Sequence, residues 1–299
     1  MKKILPALLI FLPLVVQAKF KVVTTIPDLA ALASEVGGDK IDVESLARGD
    51  QDPHYIEPKP SFALKLNRAD LLIEIGLQLE IGWLPVLLTQ SHNPKIQTGA
   101  LGHLQASEGL NLLEIPTGPV DRSQGDVHPE GNPHYWLNPR NGLIIAKHIA
   151  DRLAEIDPAN AALYQQNFKS FQARLQKKII EWEKAISPLK GKKIITYHKS
   201  FSYFVNWSGL AVVDQIEPKP GIPPSPSHIL ALIDRITAEK IPLIITENYY
   251  DPRASQKLSQ KTGAKVLLLP TSVGGETAIK TYEDLFDYLV TQLKGSGEK

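Results

Sequence analysis

The sequence has no cysteine, a single methionine and only 7% aromatic residues. Neither charge sign dominates, with 33 Lys+Arg against 32 Asp+Glu. The missing cysteines exclude disulfide scaffolds, thiolate metal sites and thiol nucleophiles together. The balanced charge, with no basic run, excludes a nucleic-acid surface, which needs concentrated cations to displace counterions. H-E-x-x-H, G-x-S-x-G, the phosphate-loop motif and G-x-G-x-x-G are all absent, so the familiar hydrolase and nucleotide signatures do not apply. Chemistry is left to the eight histidines, the carboxylates and the hydroxyls.

What is present is a chain of 299 residues, 43% hydrophobic and 22% charged, close to a globular average and long enough for two domains. Its start, Met1-Lys2-Lys3 followed by an apolar run from Ile4 to Val16 and then Gln17-Ala18, reads as an export signal with cleavage after Ala18. As a helix that run would span about 20 Å, short of the ~30 Å hydrocarbon core, and Pro6 and Pro13 weaken it further as an anchor. With no cysteine to carry a lipid, the expectation is a soluble, exported, periplasmic protein that is not membrane-embedded. Losing Lys2 and Lys3 takes the 33 basic residues to 31 against 32 acidic, a net charge of −1.

The pattern beyond residue 18 is α/β. Phe20 to Thr25, Ile41 to Leu46 and Asp70 to Ile75 read as strands separated by helical stretches, which implies parallel pairing. From Gly142 to Ile186 helical spacing is sustained. Leu163, Phe168, Phe171, Leu175, Ile179 and Trp182 line one face of a helix of roughly 28 residues, about 42 Å long. Alternation then resumes, with strands at 193–197, 210–215, 241–246 and 265–269, helices at 199–208, 227–239 and 251–262, and a last helix at 282–293. The expected architecture is two lobes, each a parallel sheet flanked by helices, joined by one long backbone helix. The divisions fall at 19–141, 142–190 and 191–299, and ligands belong in the cleft at the carboxyl ends of the strands.

Three histidines stand apart. His54, in Asp52-Pro53-His54-Tyr55-Ile56-Glu57-Pro58, and His134, in Asn132-Pro133-His134-Tyr135-Trp136, sit in proline-framed segments. His198 follows a strand directly, at its carboxyl end. Neutral imidazoles are good Zn²⁺ ligands, and three of them with an open fourth position make a stable site. Glu57 is placed to accept a hydrogen bond from the His54 imidazole. Widely spaced histidines carry no local metal signature, however, so spacing alone leaves these three as ligands or as unrelated polar side chains. His92, His103, His148 and His228 read as solvated or structural, and His128, in the polar loop 117–131, is a weaker candidate.

The segments DPHYIEPKPS, NPHYWLNPRN and TYHKSFSYF, in that order, resemble the three metal-site segments of the ZnuA/TroA-like zinc- and manganese-binding proteins of ABC importers. The long helix between the second and third segments and the Glu247 to Arg253 stretch extend the likeness over nearly the whole chain after residue 18. The resemblance implies metal held between two lobes by His54, His134 and His198, with Glu57 supporting rather than ligating. It also implies a monomer that delivers its ion to a membrane ABC permease.

Manganese-type members carry a carboxylate where His198 stands, and many have an aspartate near the end of the last strand. Here that region reads Leu269-Pro270-Thr271-Ser272. Three nitrogen donors favour Zn²⁺ over Mn²⁺. The fourth ligand is left open among water, Glu247 and His128, and Glu276 lies too far along its loop. The 117–131 loop offers only Asp121, Asp126, His128 and Glu130 for auxiliary capture. Two other functions compete. One is a zinc-dependent hydrolase with Glu247 as its base; the other is an exported adhesin-like protein whose metal is structural.

Overall fold

The computed structural model describes residues 19–121, 124–125 and 127–297. The proposed export signal at 1–18 lies outside the described residues, and no helix among those described is long and apolar enough to cross a membrane. Each lobe is built on a four-stranded, all-parallel sheet. β1 (Phe20–Thr24), β2 (Ile41–Ser45), β3 (Leu71–Glu74) and β4 (His103–Gln105) pair in the order β2-β1-β3-β4. β5 (Lys193–Thr196), β6 (Ala211–Gln215), β7 (Leu243–Glu247) and β8 (Lys265–Leu269) pair as β6-β5-β7-β8. The two orders are the same, so in both sheets the strand order reverses between the first and third strands, where open α/β sheets bind ligands. Every residue of β3 (LLIE) and β7 (LIITE) is buried, as strands covered on both faces require.

In the first lobe α1 (Pro27–Gly37), α2 (Pro60–Asn67) and α3 (Leu84–Ser91) flank the sheet. α4 (Pro139–Ile156) and α5 (Ala161–Ile186) follow as an antiparallel pair. α5 is the long helix: its 26 residues span about 39 Å, and Tyr164, Phe168, Phe171, Leu175, Ile179, Trp182 and Ile186 form its buried face. The second lobe adds α6 (Ser202–Ser208), α7 (Pro226–Glu239), α8 (Arg253–Thr262) and α9 (Tyr282–Gly297). α9 runs back along α5, where Asp287 accepts hydrogen bonds from Trp182 Nε1 (2.7 Å) and Lys178 Nζ (2.8 Å). One hydrophobic core therefore runs through the first sheet, α4, α5, α9 and the inner face of the second sheet. A smaller core of Ile195, Ile229, Leu232, Ile236 and Leu258 fills the space beneath α7 and α8.

The expected architecture is present, with differences in detail. α3 and β4 are not foreseen by periodicity, because β4 has only three residues and the eight of α3 carry a proline near their start. The helix expected from Lys199 begins at Ser202, since residues 198–201 form the turn that carries His198 off the end of β5.

The lobes also touch directly. The Trp136 indole donates to the Thr271 carbonyl (2.8 Å), Asn132 Nδ2 donates to the Lys199 carbonyl (3.0 Å), and the Tyr203 hydroxyl donates to the Asn132 carbonyl (2.8 Å). At Gly49 the chains come so close that a Cβ would sit 2.1 Å from the Val273 carbonyl oxygen, so only glycine fits.

Candidate metal centre

Each histidine is fixed by local backbone chemistry. In the loop after β2, Asp52 Oδ1 accepts from the His54 backbone N–H (3.0 Å) and from its ring Nδ1 (2.7 Å), while Trp83 Nε1 donates to the Pro53 carbonyl (2.9 Å). A carboxylate only accepts, so Nδ1 carries the proton and Nε2 keeps its lone pair. His134 is held by Asn132 Oδ1, which accepts from its backbone N–H (2.9 Å), and by the buried single turn Tyr135–Leu137 that follows. The Tyr135 hydroxyl anchors that turn on the Ile75 carbonyl (2.6 Å), and Asn138 caps α4 by accepting from the Arg140 N–H (3.0 Å). His198 sits at the carboxyl end of β5, and its Nδ1 donates to Glu217 Oε2 (2.8 Å), which likewise leaves Nε2 free.

These elements bring His54, His134 and His198 together, with one ring nitrogen of each within 4.8 Å of the others. Ring centroids lie 5.1 Å apart for His54 and His134 and 5.6 Å for each of the other two pairs. The side chains of His54 and His198 are 7% and 5% exposed, and His134 as a whole residue is 1% exposed. Both ring nitrogens of His134 are buried without a hydrogen-bond partner. Buried polar atoms are nearly always paired, so an orphaned nitrogen grouped with two further imidazoles is what a cation would satisfy.

Electrostatics divides the three. Burial, reinforced by the neighbouring histidines, pushes His134 well below the usual imidazole value, so it is neutral and ready to ligate at pH 7. For His198 burial acts downward, but the Glu217 hydrogen bond and the charges of Glu247, Glu217 and Asp52 together outweigh it and raise its pKa. Glu247, the last residue of β7, is fully buried, with the Ser200 hydroxyl beside its carboxylate. Burial lifts its pKa to about 7, and the nearby His198 pulls it part of the way back. No oxygen of Glu247 joins the three-nitrogen group.

The expected support from Glu57 is corrected: Glu57 is exposed, and Asp52, two residues before His54, takes that role. Pro53 between them turns the chain so that Asp52 folds back on the ring. Glu217 and Tyr250 were not foreseen either. The Tyr250 hydroxyl donates to Asp52 Oδ2 (3.0 Å), and burial next to Tyr249, Asp52 and Glu247 pushes the phenol pKa up, keeping it a donor.

His128 lies against the site. Its Nε2 is 3.3 Å from Nε2 of His54, where it donates into the lone pair that a metal would use. It stands between a cavity of about 50 Å³ that reaches His134 and His198 and one of about 860 Å³ that opens beside His54 and Tyr55. The other four histidines are elsewhere. His92 is exposed beyond α3, and His228 bonds the Gln215 carbonyl (3.0 Å) at the start of α7. His148 is half-buried in α4 rather than solvated, and His103 is buried 3.2 Å from Glu74.

The two-lobed α/β fold with an interlobe histidine site defines a metal-binding protein of the substrate-binding class. Residues 22–296 match the profile of the ZnuA family, "Zinc-uptake complex component A periplasmic", and the chain belongs to that family. It is therefore a substrate-binding protein of the metal ABC importers and not an enzyme, which removes the hydrolase alternative.

Among relatives, the manganese ABC transporter substrate-binding lipoprotein PsaA of Streptococcus anginosus is 31% identical over 253 residues, covering 83% of this chain and 78% of the relative. The metal ABC transporter substrate-binding lipoprotein ScbA of Streptococcus cristatus is 29% identical over 255 residues, covering 84% and 79%. Among solved structures, a crystal structure of ZnuA superposes with TM-score 0.77 at 25% identity, over 93% of this chain and 99% of that one. A zinc-bound ZnuA deletion mutant lacking 138–173 superposes with TM-score 0.78 at 25% identity, over 94% and 99%.

Proposed function

We propose that this is an exported zinc-binding protein that captures Zn²⁺ between its lobes and hands it to a membrane ABC permease. The ligands are His54 and His134 from the first lobe and His198 from the second. The observation that carries the reading is that buried His134, whose ring nitrogens have no hydrogen-bond partner, brings one of them within 4.8 Å of a ring nitrogen of His54 and of His198. Three neutral imidazoles form a zinc-type donor set, whereas Mn²⁺ favours carboxylate and water oxygen. The zinc-bound ZnuA neighbour supports the choice and the manganese lipoproteins weigh against it. The discriminating feature is His198, paired with Glu217, at the position where manganese-type members carry a carboxylate.

Glu247 supplies negative charge beside the cation, and as the ion enters its buried carboxylate is the first candidate for the fourth position, ahead of water. His128 must give up its hydrogen bond to His54 for the metal to bind, which makes residues 127–131 part of the entrance in this reading. The residue 1–18 signal supports export to the periplasm. Titration calorimetry of residues 19–299 with Zn²⁺ and with Mn²⁺, beside His134→Ala, tests the reading. One equivalent of tight Zn²⁺, lost in the variant and with Mn²⁺ much weaker, supports it; tighter Mn²⁺ or unchanged binding in the variant overturns it.

A further inference from the structure

Asp52 divides its two oxygens between the lobes. Oδ1 holds the ring and backbone of His54, and Oδ2 accepts from the Tyr250 hydroxyl of the second lobe at 3.0 Å. Tyr250 begins three residues beyond the end of β7, and its backbone N–H bonds the Glu247 carbonyl (3.1 Å). Its ring stacks on Tyr197, the residue before His198, with centroids 4.8 Å apart and planes at 24°. The same ring meets the His198 imidazole edge-on at 6.2 Å and the Tyr249 ring edge-on at 4.9 Å. One side chain thus reaches the support of the first-lobe histidine through its hydroxyl and the second-lobe histidine through its ring.

We infer that Tyr250 is a positioning residue that sets the separation and orientation of His54 relative to His198, and with them the rate at which the site lets its metal go. The inference rests on the proposed three-histidine site. The physical reason is registration. His54 and His198 belong to different sheets, so a shift between the lobes changes their spacing unless a contact spans the gap next to the ligands. Aromatic stacking fixes the Tyr250 ring on the second lobe, and the hydroxyl then tells Asp52 where that lobe lies. Without the hydroxyl, Asp52 Oδ2 loses its interlobe partner and the carboxylate is free to turn. His54 then keeps its Nδ1 proton but loses a fixed aim for Nε2. Groups that orient a ligand in this way typically change metal affinity about 10–100-fold when removed, and most of such a change falls in the dissociation rate.

Tyr250→Phe keeps the ring stack and removes only the hydroxyl. Zn²⁺ release from wild type, Tyr250→Phe, Asp52→Asn, the double variant and His134→Ala is to be followed by transfer to a chromogenic chelator. Visible spectra of the Co²⁺-loaded forms report ligand geometry directly. The expected result is release about tenfold faster in Tyr250→Phe, with altered Co²⁺ bands and an apo transition that stays cooperative. The double variant should release metal no faster than Asp52→Asn alone, because both act through one hydrogen bond. Wild-type release and spectrum in Tyr250→Phe, or losses that add in the double variant, overturn the inference. Failure of the site itself looks different: His134→Ala would then hold Zn²⁺ as the wild type does.

Discussion

The hydroxyl of Ser272, in the loop after β8, donates to the carboxylate of Asp28 in the first turn of α1, and the Val273 N–H donates to its other oxygen at 3.2 Å. This clasp joins the first turn of α1 to the loop after β8, and Asp28 is completely buried in it. Burial outweighs the two hydrogen bonds and lifts the Asp28 pKa from 3.8 to about 7. The Tyr282 phenol senses its charge.

Between pH 3.8 and about 7 the folded state therefore holds a proton that the unfolded chain has released, so this group's contribution to stability falls as pH rises through that window. The full penalty above pH 7 is of order 4 kcal/mol. Asp28→Asn should remove it. In urea denaturation the variant gains on the wild type from pH 4 to pH 8; a constant difference across the range would contradict the assignment.

Gly49 tests how tightly the lobes abut. Gly49→Ala drives a methyl group into the Val273 backbone, which has no flexible end to yield. A loss of about 1–3 kcal/mol is expected from overpacking, visible as a lower melting temperature. Zn²⁺ affinity should fall with it, since the clasp loop and the ligands belong to the same lobe contact.

Proton competition should govern metal binding. His198 has a raised pKa, with burial opposed by the Glu217 hydrogen bond and the Glu247 and Glu217 charges, so protons compete for it first as pH falls through and somewhat above the ordinary imidazole value of 6.5. Apo stability has the opposite sign. The stabilisation from the His198–Glu217 pair is complete below pH 6.5 and is lost as pH rises through the raised value. Glu217→Gln should move the fall in Zn²⁺ affinity to lower pH. It should also weaken binding by roughly 10–100-fold at pH 8, measured by competition with a chelator of known affinity.

Zinc should stabilise the fold by linkage. At a free concentration 100 times the dissociation constant the gain is about 2.7 kcal/mol, a rise of several degrees in melting temperature. His198→Ala should abolish that rise while leaving the apo transition cooperative, as scanning calorimetry with and without Zn²⁺ would reveal.

Much of this was legible in the chain before folding. The strand runs and the apolar stripe from Leu163 to Trp182 set two parallel sheets and a long helix, because burial on both faces and a 3.6-residue period each leave a pattern. The proline-framed His54 and His134 and the strand-ending His198 stood out because backbone constraint is a local property, but it was the resemblance to the ZnuA/TroA-like segments that made them ligands. Asp52 was within reach, two residues from His54, but its choice over Glu57 depends on how Pro53 turns the loop.

Glu217, Tyr250 and the Asp28–Ser272 clasp could not be found in that way. They lie 19, 198 and 244 positions from the groups they touch, and no local pattern encodes such distances. The sequence alone determined the donor chemistry: with no cysteine, the site had to be built from imidazole and carboxylate. Only the tertiary structure decided which imidazoles meet and which of them lack a partner. It also decided that the second lobe reaches across through Tyr250, because the relation between two sheets is fixed by their packed faces and not by either chain segment.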